Sequence, residues 1–114
     1  MQMTVKEVGS DLVDTLQDRR IDAAVAIRFK DKMQDLTQHS AKRVILDLGQ
    51  VEFLDSSGLG AVVGSMKYLG RERQLDLAGL TPTVEKVFRI TPMDRVFGIF
   101  YNVDAELEDI EHAP

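Results

Sequence analysis

The chain has no cysteine, which excludes disulfides and thiolate metal sites together and allows a reducing compartment. Nothing in it approaches the ~18 consecutive apolar residues of a membrane span, and the opening MQMTVKEVGSDL has no basic segment followed by an apolar run. Blocks of one charge are missing too. Acidic and basic residues are mixed along a chain of formal net charge -5, a balance that repels DNA. Internal repeats and low-complexity tracts are also absent. These absences lead us to expect a soluble, cytoplasmic protein with no membrane and no direct nucleic-acid partner.

What is present is 114 residues, the size of one domain with one core, so a single domain over 1–114 is expected. Residues 3–8 (MTVKEV) and 11–16 (DLVDTL) alternate apolar and polar around Gly-Ser, which reads as a short hairpin. From Asp22 the period changes. Val25, Phe29, Met33 and Leu36 fall on one face of a helix over about 22–38, with Asp22 as its cap. RVILDL at 43–48 is a nearly unbroken apolar run, as expected of a central strand buried on both faces.

After the loop GQVEFLD, a second helix is expected from Asp55 or Ser56, burying Leu59, Val62, Val63, Met66 and Leu69. QLDLAGL at 74–80 reads as a further strand. Thr81 and Pro82 read as the cap and first turn of a third helix, with Val84, Val87 and Phe88 inward and a stop before Pro92. GIFYN around 98–102 is a last strand. Val103, Leu107 and Ile110 give a final helix with an acidic outer face, and only the terminal EHAP reads as frayed. Strands alternating with helices, after a hairpin, mean an α/β domain with a mixed sheet. In such sheets functional groups collect where strand ends lead into helix starts, and DSSGLG at 55–60 lies at such a place.

Three chemistries fit that motif poorly. A catalytic serine needs a base, but the two histidines are His39, at the end of the first helix, and His112, in the acidic tail; both read as solvated polar residues. The Gly-x-Ser-x-Gly turn is also missing. Gly58, Gly60 and Gly64 loosely resemble a dinucleotide fingerprint, with Asp76 near the position of a ribose ligand. That fingerprint, however, needs its first glycine directly after the strand, and Gly58 follows Leu48 by ten positions. Metal-loop and paired-histidine spacings do not occur. No catalytic residue, metal or cofactor is expected.

There remain the serines. A cap by Asp55 or Ser56 contributes about 1 kcal/mol and accounts for one polar residue. It leaves Gly60 and Gly64 unexplained inside the helix, where each costs about 1 kcal/mol relative to alanine; close approach by the sheet or by another protein would account for them. A phosphate on a first-turn serine adds about -1.5 to -2 charges where the helix start favours an anion, so the fold could keep it. A partner docked there would meet a dianion beside Asp55.

The segment VILDLGQVEFLDSSGLGAVVGSMKYLG, residues 44–70, closely resembles the STAS domain of bacterial anti-sigma factor antagonists, the SpoIIAA-like family. IDAAVA at 21–26 and VEKVFRITPMDRVFGIFYNVDAEL in the C-terminal third extend the resemblance over almost the whole chain. It implies one STAS domain with a mixed sheet of about four or five strands and about four helices. It also implies a non-enzymatic role in partner switching. The unmodified protein would bind an anti-sigma factor that is also a serine kinase, of the histidine-kinase-like ATPase fold, and so free a sigma factor. Phosphorylation would end the binding, and a PP2C-type phosphatase would restore it. The phosphorylated serine corresponds to Ser57. Asp22, Asp55, Ser56, Gly58 and Leu59 correspond to its partner-binding surroundings, and a homodimer is compatible. The alternative from the same resemblance is a non-phosphorylated scaffold or accessory subunit of a transporter or stress-sensing complex. One departure stands out: DRRID at 18–22 replaces the family's glycine and glutamate before the Leu-Asp pair, so Arg19 and Arg20 could alter partner choice or offer a phosphate a counter-charge.

Overall fold

The structure, a computed structural model, describes residues 1–38 and 42–112, with no side chain described at 37 or at 108–112. His39, the side chains of Ile110 and His112, and residues 113–114 therefore lie outside what is described. Strands β1 (Met3–Val8) and β2 (Asp11–Leu16) form the expected antiparallel hairpin, turning through Gly9 at a φ of 61°, where a side chain would be strained. Strand β4 (Arg43–Asp47) lies parallel between β2 and β6 (Gln74–Ala78), and β7 (Ile99–Phe100) closes the far edge in the order β1-β2-β4-β6-β7. Helices α1 (Ala23–Thr37), α2 (Ser56–Leu69) and α3 (Pro82–Ile90) make the crossovers that parallel pairing requires.

The pleat sorts the core. Leu12, Leu16, Val44, Leu46, Leu75 and Leu77 form one cluster with Phe29 and Met33 of α1, Val62 of α2 and Phe88 of α3. Val13, Ile45 and Ala78 face the other way, where Val103 and Leu107 of α4 (Val103–His112) cover them. Each large apolar side chain so buried contributes about 1.5–3 kcal/mol. Phe88 meets Phe97, just after a 3-10 turn at Met93–Arg95, edge to face at 5.9 Å. Among the described residues no helix is long and apolar enough to cross a membrane.

Several expectations need correction. The loop GQVEFLD contains a two-residue strand, β5 (Phe53–Leu54), which pairs in parallel with β3 (Arg20–Ile21) as a second small sheet. The inward face of α2 is Gly58, Ala61, Val62, Ser65 and Leu69, while Leu59, Val63 and Met66 are only half-buried. The helix lies against α1 as well as the sheet, and close approach selects small side chains; the Ser65 hydroxyl is satisfied by the Ala61 carbonyl at 2.9 Å. Thr81 holds the cap position of α3 without capping it, because its hydroxyl donates instead to the Val51 carbonyl at 2.7 Å. The last helix continues through His112, and not all of its acidic residues face outward: Glu106 is fully buried.

Candidate functional site

Two short sequences, Arg20-Ile21-Asp22 and Phe53-Leu54-Asp55, carry the same instruction: an outward residue, an inward aliphatic one, then a capping aspartate. Ile21 and Leu54 are buried partners in the β3–β5 pair, and Arg20 lies beside Phe53 on its exposed side. The Arg19 carbonyl accepts the amides of Glu52 and Phe53 at 2.7 and 3.1 Å, and the Ile21 carbonyl accepts that of Asp55 at 3.3 Å. Each strand then turns into a helix through an aspartate in extended conformation. Asp22 Oδ1 accepts from the Ala24 amide at 3.1 Å, and Asp55 Oδ1 accepts from the Gly58 amide at 2.9 Å. The small sheet thus sets the starts of α1 and α2 side by side, with both partial positive ends at one surface.

Gly58 is what allows the close seating. A Cβ there would overlap the Ile21 carbonyl oxygen and lie 2.9 Å from its carbon, so only glycine fits between α2 and β3. Gly60 and Gly64 do not serve the same purpose, and the sheet does not approach them. A Cβ on Gly60 would meet open space, and one on Gly64 would meet the Lys30 side chain of α1 at 3.2 Å.

Ser56 and Ser57 occupy the first two helical positions, and both are exposed. Among the described residues neither hydroxyl is engaged in a hydrogen bond. The first helical bond runs from the Leu59 amide to the Asp55 carbonyl at 2.8 Å, so the amides of Ser56 and Ser57 precede the ladder. Asp22, Asp55, Ser56, Ser57 and Gly58 therefore converge, while Leu59 lies half-buried behind them. The sequence reading missed Phe53 as part of this surface. The signal was available in the repeated aliphatic-aspartate pair ahead of each helix, which marks a strand end and a cap together.

A second concentration of charge lies at the opposite end of the sheet. Arg43, at the start of β4, is 3.4 Å from Asp11, 3.7 Å from Asp76 and 3.1 Å from Glu106, the last without hydrogen-bond alignment. Gln74 donates to both oxygens of Asp76 at 2.8 Å. One guanidinium thus faces three carboxylates, those of Asp76 and Glu106 buried. Burial, reinforced by Asp76 and opposed by Arg43, pushes the Glu106 carboxyl up to about 9. Asp14 on β2 is fully buried with neither carboxylate oxygen partnered, and burial pushes it up to about 6. Neither group was visible as buried in the sequence. Among the described residues no cluster of ligating side chains is suited to a metal.

The geometry has counterparts among known proteins. The family model described as the STAS domain matches residues 2–106. The anti-sigma-B factor antagonist of Listeria monocytogenes is 31% identical over 108 residues, covering 94% of each chain. An anti-sigma factor antagonist from Mycobacterium paratuberculosis superposes with a TM-score of 0.86 at 22% identity, covering 96% of this chain and 93% of that one. The Bacillus cell fate determinant SpoIIAA, in its phosphorylated form, superposes with a TM-score of 0.71 at 20% identity, covering 96% and 99%. By its matched residues and its relatives, the chain belongs to the STAS-domain family of SpoIIAA-like anti-sigma factor antagonists.

Proposed function

We propose that the protein is the antagonist in a partner-switching system and that Ser57 is its switch. Members of this family are regulatory rather than catalytic domains. In the unmodified state the surface around Asp22, Asp55, Ser56, Ser57, Gly58 and Leu59 binds an anti-sigma factor that is a serine kinase, and a sigma factor is freed. The kinase then transfers the γ-phosphoryl group of ATP to Ser57 Oγ. An oxygen–phosphorus bond forms, ADP leaves and the hydroxyl proton is lost. The phosphate places about -1.5 to -2 charges beside Asp55 and repels acidic groups of the partner. A PP2C-type phosphatase hydrolyses the ester and resets the protein.

One observation carries this reading: an exposed, unengaged hydroxyl on the first turn of a helix that is itself rigidly seated through Gly58 and the Asp55 cap. A phosphate there has room, and the helix start favours the anion, so binding can change while the fold stays. The test is incubation with the anti-sigma kinase and MgATP, followed by peptide mass spectrometry. Phosphate on Ser57 is the expected result; phosphate on another residue, or none while the complex forms, overturns the assignment.

A further inference from the structure

A cation stands at the edge of this site without a task in the scheme above. Arg20 is 61% exposed; its guanidinium carbon lies 4.4 Å from the centroid of the Phe53 ring, and its Nε lies 3.5 Å from Asp22 Oδ2. Both contacts are of the weak surface kind, a cation over a part-exposed ring and an ion pair open to solvent. The side chain is held over the site and is easily drawn away.

The backbone fixes its nearness to Ser57. The Ile21 carbonyl receives the Asp55 amide and fills the space where a Gly58 Cβ would stand. Arg20 and Ser57 each adjoin that contact by one peptide step, about 3.8 Å along the chain, and both side chains are exposed. An arginine and a phosphoserine are both long side chains, and here they start from positions on either side of one close backbone contact. Lys30, by contrast, lies over Gly64, two turns further along α2. Among the described residues, the charged groups adjoining the two helix starts along the chain include Asp22 and Asp55 on the caps, Glu52 before β5, and Arg19 and Arg20. A dianion added beside three carboxylates calls for a counter-charge, and a guanidinium meets phosphate oxygens at two points.

We propose that Arg20 receives the phosphate once Ser57 carries one, exchanging its contacts with Phe53 and Asp22 for a charge-assisted pair and uncovering the Phe53 ring. This rests on Ser57 as the modified residue. Phosphorylation then changes two features of the docking surface together, the charge at position 57 and the exposure of an aromatic side chain at 53.

The test needs no kinase. Phosphoserine is built into position 57 of the full chain by an expanded genetic code, and its second ionisation is followed by phosphorus NMR in the parent and in Arg20→Gln, Arg20→Lys and Arg19→Gln. Free phosphoserine ionises near about 6, and the parent is expected below that. Arg20→Gln should raise the midpoint by about half a pH unit or more, Arg20→Lys should recover most of the difference, and Arg19→Gln should leave it in place. The Phe53 ring protons should shift on phosphorylation in the parent and not in Arg20→Gln. A midpoint unmoved by Arg20→Gln, or moved equally by Arg19→Gln, overturns the proposal. Because the phosphate is installed rather than transferred, that outcome leaves the kinase's choice of Ser57 standing. A kinase that modifies another residue removes the functional reading without altering the NMR result.

Discussion

At Gly58 and Gly60 the same substitution has opposite consequences. A Cβ at 58 would overlap the Ile21 carbonyl, so Gly58→Ala forces α2 away from β3 and should lower stability by about 1–3 kcal/mol, the usual cost of overpacking. At 60 the added methyl meets open space, and Gly60→Ala should raise stability by up to about 1 kcal/mol through helix propensity alone. Urea unfolding of the two variants beside the parent checks both signs; equal destabilisation would refute the seating role given to Gly58. If the open face beside Ser57 docks the partner, Gly60→Ala should also bind it less tightly while being the more stable protein. Asp14 is a third case. Its folded-state value, about 6, lies above the ordinary 3.8, so the native state holds its proton more tightly than the unfolded chain does. Having no partner among the described residues, it contributes nothing favourable itself; the penalty for its burial is smallest below 3.8, grows as pH rises and is complete above about 6, a loss of about 3 kcal/mol at 1.36 kcal/mol per pH unit. Asp14→Leu should therefore be more stable than the parent at pH 7.5, with a flatter stability profile between pH 4 and 7. A profile as steep as the parent's would show that Asp14 is not its source.

Among the elements, α4 is held to the sheet by a face that includes a buried carboxyl. Glu106 enters the sheet face beside Arg43 and Asp76, and its carboxyl is pushed up to about 9, chiefly by burial. Detached, the group would return to the ordinary 4.5, so docking of α4 weakens as pH rises from 4.5 and is weakest above about 9. Glu106→Gln keeps the neutral shape and should remove that dependence. The check is amide exchange of α4, corrected for the intrinsic rate, between pH 7 and 10: protection should fall in the parent and stay level in the variant, and parallel decline in both would contradict the role given to Glu106. The period itself puts position 106, three residues after Val103 and one before Leu107, on the apolar face of the helix; what it does not show is that a glutamate there is enclosed. Periodicity is also incomplete in α2, where the stripe Leu59, Val62, Val63, Met66 and Leu69 holds at Val62 and Leu69 but omits Ala61 and Ser65, which face inward where the helix meets α1. The hairpin, α1 and the β4 run were legible because their periods are long enough to be unambiguous. Strands β3 and β5, with two residues each, have no period at all, and only their apolar-aspartate endings marked them.

For the molecule as a whole, the arrangement separates holding from signalling. The Arg43 cluster lies at the far end of the sheet from Ser57, and the core between the sheet and α1–α3 reaches the motif only through its buried side at Ile21, Leu54 and Gly58, whereas Ser57 itself stands exposed on the helix start. Phosphorylation should therefore leave far-ultraviolet circular dichroism unchanged and shift the melting temperature by only a few degrees, the response to about 1 kcal/mol in a domain of this size. The family and the location of the motif were legible from DSSGLG and its flanks; the two-residue sheet that aligns the helix starts, and the arginine lying on Phe53, needed the structure. The most direct measurement is calorimetric titration of the anti-sigma kinase with the protein in two forms, unmodified and phosphorylated on Ser57. Tight binding by the first and binding weaker by about a hundredfold or more by the second is the outcome expected of a charge switch at the interface. Equal affinities for the two forms would contradict it.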